Sequence, residues 1–89
     1  MKLEAFMCPV CGYPALSEPP YTDGGGGSYE ICPSCGFQFG VTDSDEGRSY
    51  EDWRDEWVRR GMKWQSVGLR EPPGWDPRMQ MIRAGLTLP

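Results

Sequence analysis

Short apolar runs broken by glycine and proline, not long periodic stretches, dominate the hydrophobic pattern of this chain. Leu3, Ala5, Phe6 and Met7 predict a short strand over residues 3–7 that leads into Cys8, with residues 13–17 as its return. Pro19-Pro20 and the run Gly24 to Gly27 then mark a loop with a flexible tip, because four consecutive glycines carry a high ordering cost. Residues 28–32 lead into Cys32. Phe37, Phe39 and Val41 alternate with Gln38 and Gly40, which predicts a strand with one apolar face.

The period changes after the acidic turn Asp43-Ser44-Asp45-Glu46-Gly47-Arg48. Tyr50, Trp53, Trp57 and Val58 share one face at helical spacing and predict an amphipathic helix over 50–60. Ser49 reads as its N-cap, Asp52 completes a capping-box-like pair, and Gly61 reads as the residue that ends it. Acids early and arginines late suit the helix dipole, and Asp55–Arg59 and Glu56–Arg60 are favourable pairs four apart. A turn through Lys63 and Trp64 and a loop at Pro72-Pro73-Gly74 follow. Asp76-Pro77 then reads as N-cap and first residue of a short helix over about 77–84, with Leu86 to Pro89 expected to fray.

Composition narrows the class. The chain of 89 residues has room for one small domain, so residues 1–64 and 65–89 are read as a domain and its C-terminal extension. A core this small is marginal alone, and such chains often add a metal or disulfides. No stretch approaches the roughly 18 apolar residues of a membrane span, so no membrane partner is expected. Residues 1–7 are too short and polar for a secretion signal, which makes the reducing cytoplasm the expected compartment. Histidine is absent, which removes Ser-His-Asp, Cys-His and His-metal chemistry together. No enzyme is expected from what remains.

The four cysteines carry the strongest signal. Cys8-Pro9-Val10-Cys11-Gly12-Tyr13 and Cys32-Pro33-Ser34-Cys35-Gly36-Phe37 repeat one pattern, C-P-x-C-G-aromatic. Two residues between cysteines let both sulfurs bend onto one ion. Proline fixes φ inside the turn, and glycine accepts the left-handed conformation that sends the chain back. Two such knuckles supply four thiolates at Cys8, Cys11, Cys32 and Cys35, the donor set of tetrahedral Zn2+. Iron in a rubredoxin-type centre is the alternative, and zinc is preferred because no further element argues for electron transfer. Two disulfides or four free thiols are the remaining readings. Structural zinc contributes on the order of 10 kcal/mol to folding, more than a small core leaves over. With four protein ligands the ion has no open position for hydrolysis.

C-P-x-C-G-Y near the start, Y-E-I-C-P-x-C-G-F, an acidic turn and a Trp-containing helix resemble the bacterial cysteine-rich CPCC-type proteins over roughly residues 6–64. The resemblance implies a zinc-ribbon-like domain in a bacterial cytoplasm, the four cysteines as ligands and no catalytic residue. This chain departs from that pattern in reading Cys-Pro-Val-Cys, with no adjacent cysteines after a proline, and residues 65–89 match none of it. The expected fold is therefore small α+β: a zinc ribbon of short antiparallel strands with two Cys knuckles, one amphipathic helix packed on it, and a short C-terminal helix or irregular tail.

The expected role is a non-enzymatic, zinc-stabilised interaction module for a protein partner. The aromatic face of the helix is read first as core packed on Phe37 and Phe39, and alternatively as a docking surface, since Trp is enriched at interface hot spots. Arg54, Arg59, Arg60 and Lys63 could form a basic edge for nucleic acid. The formal net charge of −4, falling to about −6 with four thiolates on a divalent ion, disfavours that partner. Asp43, Asp45 and Glu51 fail the EF-hand pattern, since Gly47 and Arg48 stand where an acid and a glycine belong. Gly24 to Gly27 lack the lysine and setting of a phosphate loop.

Overall fold

The local signals for helix ends translate into two helices. A computed structural model describes residues 5–87, and within them α1 spans Tyr50–Arg59 and α2 spans Pro77–Arg83. The Ser49 side chain accepts the Asp52 N–H at 3.0 Å and starts α1. Asp76 does the same for α2 by accepting from the Arg78 and Met79 N–H groups, with Pro77 at the first helical position. Both helices end in one geometry: Met62 N–H bonds the Trp57 carbonyl and Gly61 N–H the Val58 carbonyl, as Leu86 N–H bonds Met81 and Gly85 N–H bonds Ile82. In each case the residue two beyond the cap turns inward, so Met62 is buried and Leu86 packs on the core. Leu86 is thus tied down. Residues 88–89, also expected to fray, lie outside the described residues.

The strands do not form, and the zinc ribbon of short antiparallel strands is overturned. Among the described residues no β-strand or sheet exists; the antiparallel pairing is confined to isolated bridges, Phe6–Leu16, Tyr21–Gly27 and Ile31–Gln38. The reason is local. Beyond its closing backbone bond each knuckle's return forms a single bridge, Phe6–Leu16 or Ile31–Gln38, and breakers keep the ladder from extending. Pro14 and the Pro19-Pro20 segment flank the first return. Tyr29 interrupts the 28–32 lead-in at φ 63°, left-handed backbone that a strand cannot include. The alternating Phe37–Val41 segment delivers both phenylalanines to the core but then turns, with Val41 and Thr42 N–H both on the Gln38 carbonyl. Residues 3 and 4 of the predicted first strand lie outside the described residues. The glycine tip folds into a hydrogen-bonded turn, Gly25 N–H on Thr22 and Thr22 N–H on Gly26.

What replaces the sheet is a core built on the knuckles. Val10, Leu16, Phe37, Phe39, Trp57, Met62 and Met81 are buried together with the four cysteines. Burying each of the phenylalanines is worth roughly 2–3 kcal/mol relative to exposure. Phe37 meets Phe39, Tyr50 and Trp53 at ring-centroid distances of 5.2, 5.3 and 5.8 Å, the last two edge-on. The aromatic face of α1 is therefore core, and it is not free as a docking surface. On its outer side Arg48 lies over the Trp53 ring at 5.1 Å and pairs with Glu56, which also takes Arg60. The expected Asp55–Arg59 pair does not form.

The two knuckle glycines share left-handed backbone, φ +85° at Gly12 and +83° at Gly36, but their surroundings differ. A Cβ at Gly12 would stand 2.7 Å from Ala84 Cβ and 2.8 Å from the Gln80 carbonyl oxygen, whereas one at Gly36 meets only the flexible Gln65 side chain at 3.4 Å. Gly36→Ala is therefore expected to cost about 1–2 kcal/mol for φ alone. Gly12→Ala adds a clash with α2 and should cost about 3 kcal/mol or more. Denaturant titration of both variants checks this; equal losses would show that α2 does not press on the first knuckle.

Candidate metal centre

Each knuckle is made by the same two backbone bonds. Gly12 N–H reaches the Cys8 carbonyl at 2.8 Å and Cys8 N–H reaches the Tyr13 carbonyl at 2.8 Å. In the second, Gly36 N–H reaches Cys32 at 2.8 Å and Cys32 N–H reaches Phe37 at 2.9 Å. The sequence repeat is thus a structural repeat, and the two turns face each other across the core.

The turns bring all four sulfurs, Cys8, Cys11, Cys32 and Cys35, within 4.8 Å of one another. The cross-knuckle distances are 3.9 Å for Cys8–Cys35 and 3.6 Å for Cys11–Cys32. Four tetrahedral metal–sulfur bonds of ~2.3 Å require sulfurs ~3.8 Å apart, so the arrangement fits a metal ion. A disulfide needs ~2.05 Å, and all four cysteines are free thiols, so the two-disulfide reading does not describe this structure. The cysteines are at most 2% exposed.

Burying a charged site obliges the surrounding polar groups to find partners, and the carbonyls of the knuckles find them on distant segments. Arg54 on α1 donates to the Val10 and Pro9 carbonyls at 2.6 and 2.9 Å. Trp53 Nε1–H donates to the Cys35 carbonyl at 2.9 Å. Gln65 and Ser66 N–H groups share the Pro33 carbonyl. From α2, Gln80 Nε2 donates to the Cys11 carbonyl at 3.1 Å and to Ser34 Oγ at 3.0 Å, and Ser34 Oγ lies 3.4 Å from Cys11 Sγ. No buried side-chain nitrogen or oxygen among the described residues lacks a partner.

These supporting residues were not legible as such. Arg54 reads as a surface cation and Trp53 as part of an apolar stripe. Gln80 lies in a segment that resembles nothing familiar. The one available signal was Ser34, a hydroxyl where the twin knuckle has Val10. Of the basic edge, Arg54 is engaged by the knuckle carbonyls and Arg60 pairs with Glu56, while Arg59 and Lys63 are exposed. The acidic turn gathers no metal-ligand cluster; the cysteines are the cluster found among the described residues. Asp43 accepts from the Tyr21 hydroxyl and the Gly40 and Ser44 N–H groups. Burial raises the Asp43 carboxyl, but those bonds outweigh it and hold the group below the usual range.

Electrostatics within the cysteine cluster are uneven. Burial pushes the Cys11 thiol up, yet hydrogen bonds with Cys32, Cys35, Cys8 and Ser34 override it and hold Cys11 far below the ordinary thiol range. Burial, and then the bond to Cys11, push Cys32 and Cys35 up.

Fold and site together define a small cysteine-rich protein whose four buried thiols can hold a metal ion. The uncharacterized protein YoaQ of Bacillus subtilis (strain 168) is similar, 28% identical over 76 residues that cover 70% of this chain and 64% of YoaQ. The chain thus spans a little under two thirds of that relative's length. No protein-family model matches the chain, and the four clustered cysteines are consistent with a small cysteine-rich protein. No solved structure matches it. No helix among the described residues is long and apolar enough to cross a membrane.

A thiol must lose its proton to ligate a metal, and burial pushes Cys32 and Cys35 toward the protonated form, so metal uptake at this site would displace protons. Acid therefore opposes binding. Apparent affinity is expected to fall roughly tenfold per pH unit for each proton displaced, read by chelator competition between pH 6 and 8. An affinity flat across that range would contradict a thiol-to-thiolate change.

Proposed function

We propose that Cys8, Cys11, Cys32 and Cys35 hold one zinc ion as a structural centre, and that the chain is a non-enzymatic module that binds a protein partner. The observation that carries the zinc reading is the sulfur spacing, 3.6 and 3.9 Å across the knuckles, in a donor set of thiolates alone. Four protein ligands close the coordination shell, which speaks against hydrolysis at the ion. Iron suits the same donors. Electron transfer through it gains nothing from this geometry, since both knuckles are covered and no sulfur reaches the surface. Within the chain the ion would link residues 8–11 to 32–35 and so hold together the two halves of the core.

A protein partner is favoured over nucleic acid by charge and by what stays exposed. The net charge is −4 and Arg54 and Arg60 are already engaged. Beside the second knuckle, Ile31, Val67 and Leu69 are 57, 106 and 60% exposed and line a shallow depression that contains no charged residue. An apolar edge of that kind suits another protein's apolar surface.

Elemental analysis of the purified chain should give one zinc per molecule and a colourless solution. A red protein that bleaches on reduction would replace zinc with iron and the module with an electron carrier. For the partner, the doubly substituted Val67→Asp, Leu69→Asp chain should keep its metal and its helices while losing at least tenfold in affinity for whatever protein the native chain captures and elutes. Unchanged capture would remove that edge from the reading.

A further inference from the structure

The two knuckles differ at their third position, Val10 in one and Ser34 in the other, and both side chains are fully buried. The Ser34 hydroxyl has two neighbours, Gln80 Nε2 at 3.0 Å and Cys11 Sγ at 3.4 Å. The direction of each bond is set by groups that have no choice. Trp75 Nε1–H can only donate, and it meets Gln80 Oε1 at 2.8 Å. The Cys11 carbonyl can only accept, and it meets Gln80 Nε2 at 3.1 Å. The amide of Gln80 is therefore fixed with oxygen toward Trp75 and nitrogen toward the knuckle. Its nitrogen donates to Ser34 Oγ; a free Cys11 thiol donates to that same oxygen, whereas a Cys11 thiolate has no proton and would accept the Ser34 O–H instead.

We propose that Gln80 is a positioning residue for the metal centre: through Ser34 it directs a hydrogen bond onto Cys11 alone of the four sulfurs, and thereby ties α2 to the loaded site. The inference rests on the four-thiolate reading above. A metal-bound thiolate has no proton and accepts the Ser34 O–H. The run from Trp75 through Gln80 and Ser34 to Cys11 then has every donor pointing toward the sulfur, an arrangement in which successive bonds strengthen one another. Its members lie far apart in sequence, 46 residues between Ser34 and Gln80 and 69 between Cys11 and Gln80. The C-terminal helix is thus attached to the coordination sphere itself. The twin position carries Val10, which has no hydroxyl to offer a sulfur.

Cobalt(II) loaded onto the full chain is the probe, because its sulfur-to-metal charge-transfer band reports electron density on the ligands. Ser34→Val installs the side chain of the twin knuckle, and Gln80→Met keeps volume while removing both amide functions. Each variant should release cobalt to a chelator about tenfold faster or more, the range found when a residue supporting a ligand is lost. The double variant should release it no faster than the more affected single one. In all three the band should move to longer wavelength, amide exchange over residues 77–86 should quicken, and Ser34→Thr should behave as the native chain. A band unmoved by Gln80→Met, or effects of the two substitutions that multiply, would overturn the proposal while leaving the four-thiolate site intact. A native chain that shows no tetrahedral thiolate band with cobalt would overturn both.

Discussion

Convergence of four sulfurs on a space 4.8 Å across is the constraint to which the rest of the structure answers. Among the described residues no sheet aligns distant segments, and the chain has too few apolar residues to build a large core. It relies instead on two tight turns whose backbone bonds aim the cysteines, and on the mutual approach of those turns. Everything buried lies around them. Phe37 and Phe39 follow directly from the second turn, and Leu16 closes the return of the first.

Placing thiol clusters inside a protein creates a second demand, because tight turns leave carbonyls pointing outward with no partner in the same segment. The structure meets it by bringing one element to each carbonyl: Arg54 to Pro9 and Val10, Trp53 to Cys35, Gln80 to Cys11, and the 65–66 backbone to Pro33. The helices are thus positioned by polar contacts to the knuckles as much as by apolar packing. This explains why α1 uses Trp53 for two tasks, its ring edge-on to Phe37 and its N–H on the knuckle.

What could be read from the sequence was what depends on neighbouring residues. The repeated C-P-x-C-G units, Ser49 as a cap, Gly61 as a helix end and Asp76-Pro77 as a helix start are all decided within a few positions, and the structure shows each of those local geometries. The strands were misread because alternation at Phe37, Phe39 and Val41 tests only which side chains face inward. It does not test how far a second segment runs alongside, and here Tyr29 and the turn after Phe39 limit the pairing to the single Ile31–Gln38 bridge. Contacts at long range, such as Gln80 to Cys11 or Arg54 to Pro9, leave no local mark, so the supporting shell of the site stayed hidden.

Sequence distance also has a bearing on how such a molecule is made. The first knuckle leaves the ribosome before residues 54 and 80, whose side chains cover its carbonyls. A domain whose critical contacts span 45 and 69 positions has little to gain from folding as it emerges. The cover over the Cys11 carbonyl is complete only once residue 80 has emerged.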